Sequence, residues 1–122
     1  MSKVKWYSER HIWVLLENDM AMIGLSTYAQ KQLGAIAFIN LPDIGEIFHE
    51  GEVLGDVESI KTVSDLISPL DGEVIEVNEQ MVDNPESMND DTETSWLVKL
   101  RFCKAPDSLM DEAAYQEYVA QL

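Results

Sequence analysis

Apolar residues recur along this chain in short runs rich in β-branched and aromatic side chains, broken by clusters of Gly, Pro, Asn and Asp; this is the pattern of a β protein. Trp6-Tyr7 and the run from His11 to Leu16 read as an opening strand, Glu17-Asn18-Asp19 as its turn, and residues 20–25 as the returning strand. Ser26 predicts the N-cap of a short helix through Leu33, and Gly34 supplies the left-handed residue that ends it. Residues 35–40 return to strand and stop at Leu41-Pro42. Turns at 43–45 and 49–51 lead into a hairpin with strands over 53–58 and 62–67. Beyond it come a turn at 68–72, a strand over 73–77, a helical turn at Asn84-Pro85-Glu86, a polar loop at 89–95 and a final strand over 96–100. Tyr115, Tyr118, Val119 and Leu122 have the spacing of one helix face, predicting a C-terminal helix from 108 to 122 capped by Asp107 or Ser108. Gly51-Glu52-Val53-Leu54 is echoed by Gly72-Glu73-Val74-Ile75 on the other side of the hairpin, which suggests a pseudo-symmetric sandwich.

At 122 residues the chain is expected to form one domain, able to bury a core without metal or disulfide. Eight Lys and Arg against 23 Asp and Glu give a formal net charge of −15, which repels phosphate backbones and anionic membranes; nucleic-acid and membrane binding are therefore not expected. The lone Cys103 excludes an internal disulfide, suggests a reducing compartment, and is read as packing in the last strand. The start of the chain shows no signal peptide, transit peptide or membrane span, so a cytoplasmic location is expected. His11 and His49 stand in separate segments, and the acids of the 89–95 loop lack the spacing and central Gly of a calcium loop; no metal site is expected.

One residue stands apart from this acidic background. Lys61, at the predicted hairpin tip, is the only Lys or Arg between Lys31 and Lys99, a stretch containing 16 Asp and Glu. A lysine at a rigid turn can act as a catalytic amine or as an attachment point. Catalysis would need a depressed pKa from burial or a neighbouring cation. The neighbours Glu58 and Asp65 instead favour the charged form, which points to a lysine modified by another enzyme.

Glu58-Ser59-Ile60-Lys61-Thr62, followed by Ser68-Pro69-Leu70-Asp71-Gly72-Glu73-Val74 and Glu76-Val77-Asn78-Glu79, resembles the lipoyl-attachment region of the H protein of the glycine cleavage system. The resemblance runs nearly the full length, through His11-x-Trp13, Gly24-Leu25-Ser26, Ala29-Gln30, Leu41-Pro42-x-Ile44-Gly45 and Pro85-Glu86. It implies an all-β, flattened lipoyl/biotinyl-type sandwich (a barrel-sandwich hybrid) with short flanking helices and a C-terminal helix, spanning residues 1–122 as one monomeric, non-catalytic carrier domain. Lipoic acid would be joined by an amide to Lys61, with Glu58, three residues before, and Gly72, eleven after, assisting the lipoate-attaching enzyme. The carrier would pass an aminomethyl group from a pyridoxal-phosphate glycine decarboxylase to a folate-dependent aminomethyltransferase, with dihydrolipoamide dehydrogenase reoxidising the arm. Biotin carriers typically flank the lysine with Met, whereas here Ile60 and Thr62 do so.

The alternatives are an H-like lipoyl carrier in another redox or sulfur pathway and an unmodified protein-interaction domain. The sequence departs from the family at Ile12, where a Glu usually helps hold the amine of the loaded arm in a surface cleft, and at Arg10, Ala35 and residues 91–95. Asp65 matches and remains a candidate amine contact, so Ile12→Glu is expected to restore a second carboxylate.

Overall fold

The computed structural model describes residues 5–89 and 94–122. The N-terminal tetrapeptide, part of the segment read for targeting signals, and residues 90–93 of the polar loop weighed for calcium lie outside the described residues.

Among the described residues nine strands form two antiparallel sheets. In chain order they are β1 (Lys5–Tyr7), β2 (Ile12–Glu17), β3 (Met20–Leu25), β4 (Ile36–Asn40), β5 (Ile47–Phe48), β6 (Val53–Ser59), β7 (Val63–Ile67), β8 (Gly72–Val77) and β9 (Trp96–Arg101). The larger sheet has the order β1-β2-β3-β9-β8-β5, and the smaller has β4-β6-β7. Helix α1 (Thr27–Leu33) links the sheets, α2 (Glu79–Asp83) and a 3-10 turn (Pro85–Asn89) follow β8, and α3 (Glu112–Ala120) closes the chain. This is the flattened two-sheet sandwich with short helices that the sequence predicts.

Strand alternation sends one face of each sheet into a shared core. Val14, Ile23, Val74, Val98 and Leu100 of the larger sheet meet Ile39, Leu54, Val57 and Leu66 of the smaller. Strand β2 is covered on both sides: Ile12 and Val14 enter this core, while Trp13 joins Tyr7 and Tyr115 in a second cluster beneath α3. That double burial explains why Ile12, Trp13 and Val14 are consecutive apolar residues. Ser26 caps α1 by accepting from the Ala29 N–H, and Gly34 ends it at φ 81°, both as the sequence predicts.

Several expectations change. The opening strand is two strands, because Ser8 to His11 make a turn in which the Ser8 N–H donates to the Ile12 carbonyl at 2.9 Å. The helix cap is Asp111, not Asp107 or Ser108; Met110 is occupied instead in a two-way backbone bridge with Tyr7. Leu122 of the predicted apolar face is exposed, being past the end of α3. Cys103 lies beyond β9 and is exposed rather than packed. Strand β5 and helix α2 have no counterpart in the sequence reading; both are too short to show a period. The Gly-Glu-Val echo is out of phase in burial, for Leu54 is buried after exposed Val53, whereas Val74 is buried before a half-exposed Ile75.

Helix α3 is fastened by the Tyr115 phenol, which lies 2.8 Å from His11 Nδ1 and 2.7 Å from Ser26 Oγ, while its ring stacks on Tyr7 at 4.4 Å. Tyr115→Phe keeps the stack and removes both bridges, leaving a buried serine hydroxyl short of a partner. We expect a loss of about 1–2 kcal/mol, read as a lower urea midpoint at unchanged slope.

Candidate functional site

Lys61 stands exposed at the apex of the β6–β7 hairpin. The Ser59 backbone N–H donates to the Thr62 carbonyl at 2.8 Å. The Ser59 hydroxyl accepts from the N–H groups of Lys61 and Thr62 at 3.2 and 3.1 Å. A serine that satisfies two backbone donors holds a turn without any left-handed residue, and Ile60, Lys61 and Thr62 all avoid positive φ. The apex therefore tolerates β-branched and long side chains without strain.

The lysine stem lies back over Gly34: a Cβ built there would stand 3.5 Å from Lys61 Cε and 3.7 Å from Nζ. Below it, the Gly34 carbonyl accepts from Gln30 Nε2 and Asn89 Nδ2, each at 3.1 Å, and Asn89 Oδ1 accepts from the Ile36 N–H at 3.2 Å. One asparagine thus holds both sides of the α1–β4 corner under the lysine. The sequence reading places Ser59 in the attachment motif and Asn89 in the polar loop but gives neither a structural role. Ser59 was detectable as a serine opening a tight turn, but Asn89 acts across 55 residues and left no local signal.

Among the described residues no carboxylate lies within ion-pair distance of Lys61, so the expected attraction from Glu58 and Asp65 is not realised as a salt bridge. Glu58 pairs across the sheet with Val63, and Asp65 with Asp56. Asp65 instead borders a cleft of about 650 Å³ whose other walls are Val63, Ser64 and Ile67 of β7, Glu9, Arg10 and His11 of the β1–β2 turn, and Tyr118 of α3. His11 has φ 68°, an uncommon conformation for a non-glycine residue. It is held there by its carbonyl accepting from the Ser26 N–H at 2.9 Å and by its ring's bond to Tyr115.

Two further residues are constrained by packing. Gly72 is on the larger sheet, where a Cβ would come within 2.9 Å of the Arg101 carbonyl and 3.2 Å of Leu100 Cβ. Its lack of a side chain is a packing requirement, so a bulky replacement disturbs the sheet first. Ile12 is 1% exposed and belongs to the main core, not to an open cleft wall. An acid at this position of this chain would be buried instead of clasping an amine.

The flattened two-sheet sandwich, which displays an exposed lysine on a hairpin apex, has the architecture of a lipoyl-type carrier domain. The sequence profile of the family described as Glycine cleavage H-protein matches residues 5–122. The glycine cleavage system H protein of Thermotoga maritima is 39% identical over 122 residues, covering 98% of each chain. That of Herpetosiphon aurantiacus is 41% identical, covering 93% of this chain and 88% of its own. The crystal structure of a glycine cleavage system H protein from Mycobacterium marinum superposes with a TM-score of 0.87 at 32% identity, covering 99% of this chain and 98% of that one. The chain belongs to the glycine cleavage H-protein family. Its role is that of a non-catalytic lipoyl carrier in glycine cleavage.

Two outcomes follow from the buried groups. Ile12→Glu is expected to destabilise the fold by on the order of 3 kcal/mol, through an unpaired carboxylate in the core, measured by urea unfolding. Burial, and then the Arg10 guanidinium, lower the His11 pKa below the ordinary imidazole value. The unfolded chain therefore binds this proton at a higher pH than the folded protein, and the stability associated with neutral His11 is complete above about pH 6.5 and lost as pH falls below it. Melting temperature should accordingly fall more for the wild type than for His11→Gln between about pH 7.5 and about pH 5.

Proposed function

We propose that Lys61 is the lipoylated residue, with lipoic acid in amide linkage to Nζ, and that residues 1–122 act as a single monomeric carrier domain. The observation that carries this reading is the placement of Lys61: exposed, without an ion pair among the described residues, on an apex closed by Ser59. These residues fit the group. Nζ is open to a modifying enzyme, and the Ser59 turn gives a long arm a fixed origin. When bound, lipoate supplies a dithiolane that opens and closes by thiol–disulfide exchange and accepts the aminomethyl unit, chemistry the side chains of the chain do not provide.

The polypeptide's contribution is position and electrostatics. Residues 59–62 fix the point of attachment. In the cleft beside β7, Asp65 and Glu9 offer carboxylates to an amine, whereas Arg10 opposes one. A charge-assisted hydrogen bond to such a carboxylate is worth roughly 1.5–3 kcal/mol. The partners in this reading are the pyridoxal-phosphate glycine decarboxylase, the folate-dependent aminomethyltransferase, dihydrolipoamide dehydrogenase and a lipoate-attaching enzyme, which Glu58 assists. Gly72 serves the attaching enzyme indirectly, by allowing close packing of β8. The setting is the cytoplasm; among the described residues no helix is long and apolar enough to cross a membrane.

Intact mass after incubation with lipoate, ATP and a lipoate-attaching enzyme tests the assignment. Wild type should gain one lipoyl increment, located on Lys61 by peptide mapping. Lys61→Arg should gain none while keeping its melting temperature, since arginine retains the charge but cannot form the amide. Glu58→Ala should be lipoylated more slowly at unchanged stability. An increment on another lysine in the Lys61→Arg protein sinks the assignment.

A further inference from the structure

The smaller sheet turns two exposed apolar side chains, Phe38 and Val63, outward on either side of Glu58 beside the Lys61 apex. Phe38, Glu58 and Val63 are direct neighbours across β4, β6 and β7, and cross-strand partners share a face. Phe38 is 63% and Val63 57% exposed, and Ile60, on the apex itself, is 84% exposed. In a regular strand Phe38 would share the side of Ile36, which is buried. A register shift between the two separates them and leaves the ring in solvent. The next row on this face, Asn40, Asp56 and Asp65, is polar, with Asn40 Nδ2 donating to Asp56 Oδ1 at 2.7 Å. The apolar side chains are therefore confined to the lysine end, with Glu58 between Phe38 and Val63 and Asp56 and Asp65 in the next row.

We infer that Phe38, Ile60 and Val63 form the docking face for the enzyme that acylates Lys61, whose complementary surface is an apolar pocket rimmed by basic side chains. This rests on Lys61 being the lipoylated residue. Two observations select that occupant. The face is continuous with the apex that any acylating enzyme must cover to reach Nζ. Its acidic flank of Asp56, Glu58 and Asp65 complements a basic rim, whereas a second copy of a chain with net charge −15 is repelled. A large exposed aromatic ringed by polar groups is the usual composition of an interface anchor.

The test is the rate of lipoyl transfer to the apo-protein by a purified lipoate-attaching enzyme with lipoate and ATP, followed by intact mass over a range of carrier concentrations. Phe38→Ser and Val63→Ser should each raise KM at least about tenfold with the maximal rate retained, because they remove contacts made away from the reacting amine. Both side chains are exposed, so melting temperatures should stay within about 2 °C of wild type. Ile44→Ser, at an equally exposed isoleucine on the loop before β5, should leave KM unchanged, and Phe38→Leu should restore most of the loss. Wild-type KM in both serine variants, with the wild type itself fully lipoylated, overturns the docking face but leaves the Lys61 assignment intact. Failure of the wild type to accept lipoate removes that assignment and the docking face with it. A wild-type dimer in sedimentation that becomes monomeric in Phe38→Ser assigns the face to a second copy and likewise overturns the proposal.

Discussion

The closure of the three-stranded sheet over the six-stranded one is the constraint on which the rest depends. A two-stranded hairpin in water is marginal by itself, and the apex carrying Lys61 is held by little more than the Ser59 side chain and one backbone bond. What fixes it is the burial of Leu54, Val57 and Leu66 against Val74, Val98 and Leu100. Each such side chain contributes roughly 1.5–3 kcal/mol, more than the roughly 1–2 kcal/mol that ordering one backbone residue costs. Lys61 is thus placed by residues it never touches. Its own side chain stays at the surface.

The sequence makes the strands legible where a short apolar run is bounded by turn residues, as in 20–25 and 96–100, and the ends of α1 where Ser26 and Gly34 announce them. It also isolates Lys61, because a single cation in a long acidic stretch is visible without coordinates. Its reading breaks down where tertiary packing overrides local pattern. Ile12 looks like a surface position because the family carries an acid there, yet β2 is covered on both sides. Gly72 is singled out by its distance from Lys61, and its tight packing against the Arg101 carbonyl on the neighbouring strand is not visible from that spacing. Phe38 belongs to the apolar strand read over 35–40, and one register shift turns its ring outward. None of these three facts is local in sequence.

The cleft beside β7 and the docking of α3 share the same residues. Its walls come from the β1–β2 turn, β7 and α3. The turn is held by His11 in a left-handed conformation, His11 is tied to Tyr115, and Tyr118 donates to the Glu9 carbonyl at 3.3 Å. Arg10 and Glu9 are therefore displayed by a turn whose shape depends on the last helix. Anything that loosens α3 acts directly on the walls of the cleft.

The tie between the two ends of the chain has a consequence for biosynthesis. The His11–Tyr115 bond spans 104 residues, and the Tyr7–Met110 bridge joins the first strand to the segment just before the last helix. Strand β9, which sits between β3 and β8 in the larger sheet, is also among the last elements to be made. The hairpin can pair locally as soon as it leaves the ribosome, but the platform beneath it lacks its central strand until residue 101 has been synthesised. Non-local pairing of this kind is slow and comes late. Lys61 is consequently displayed in its final geometry only after residue 101 has been made and β9 has paired with β3 and β8.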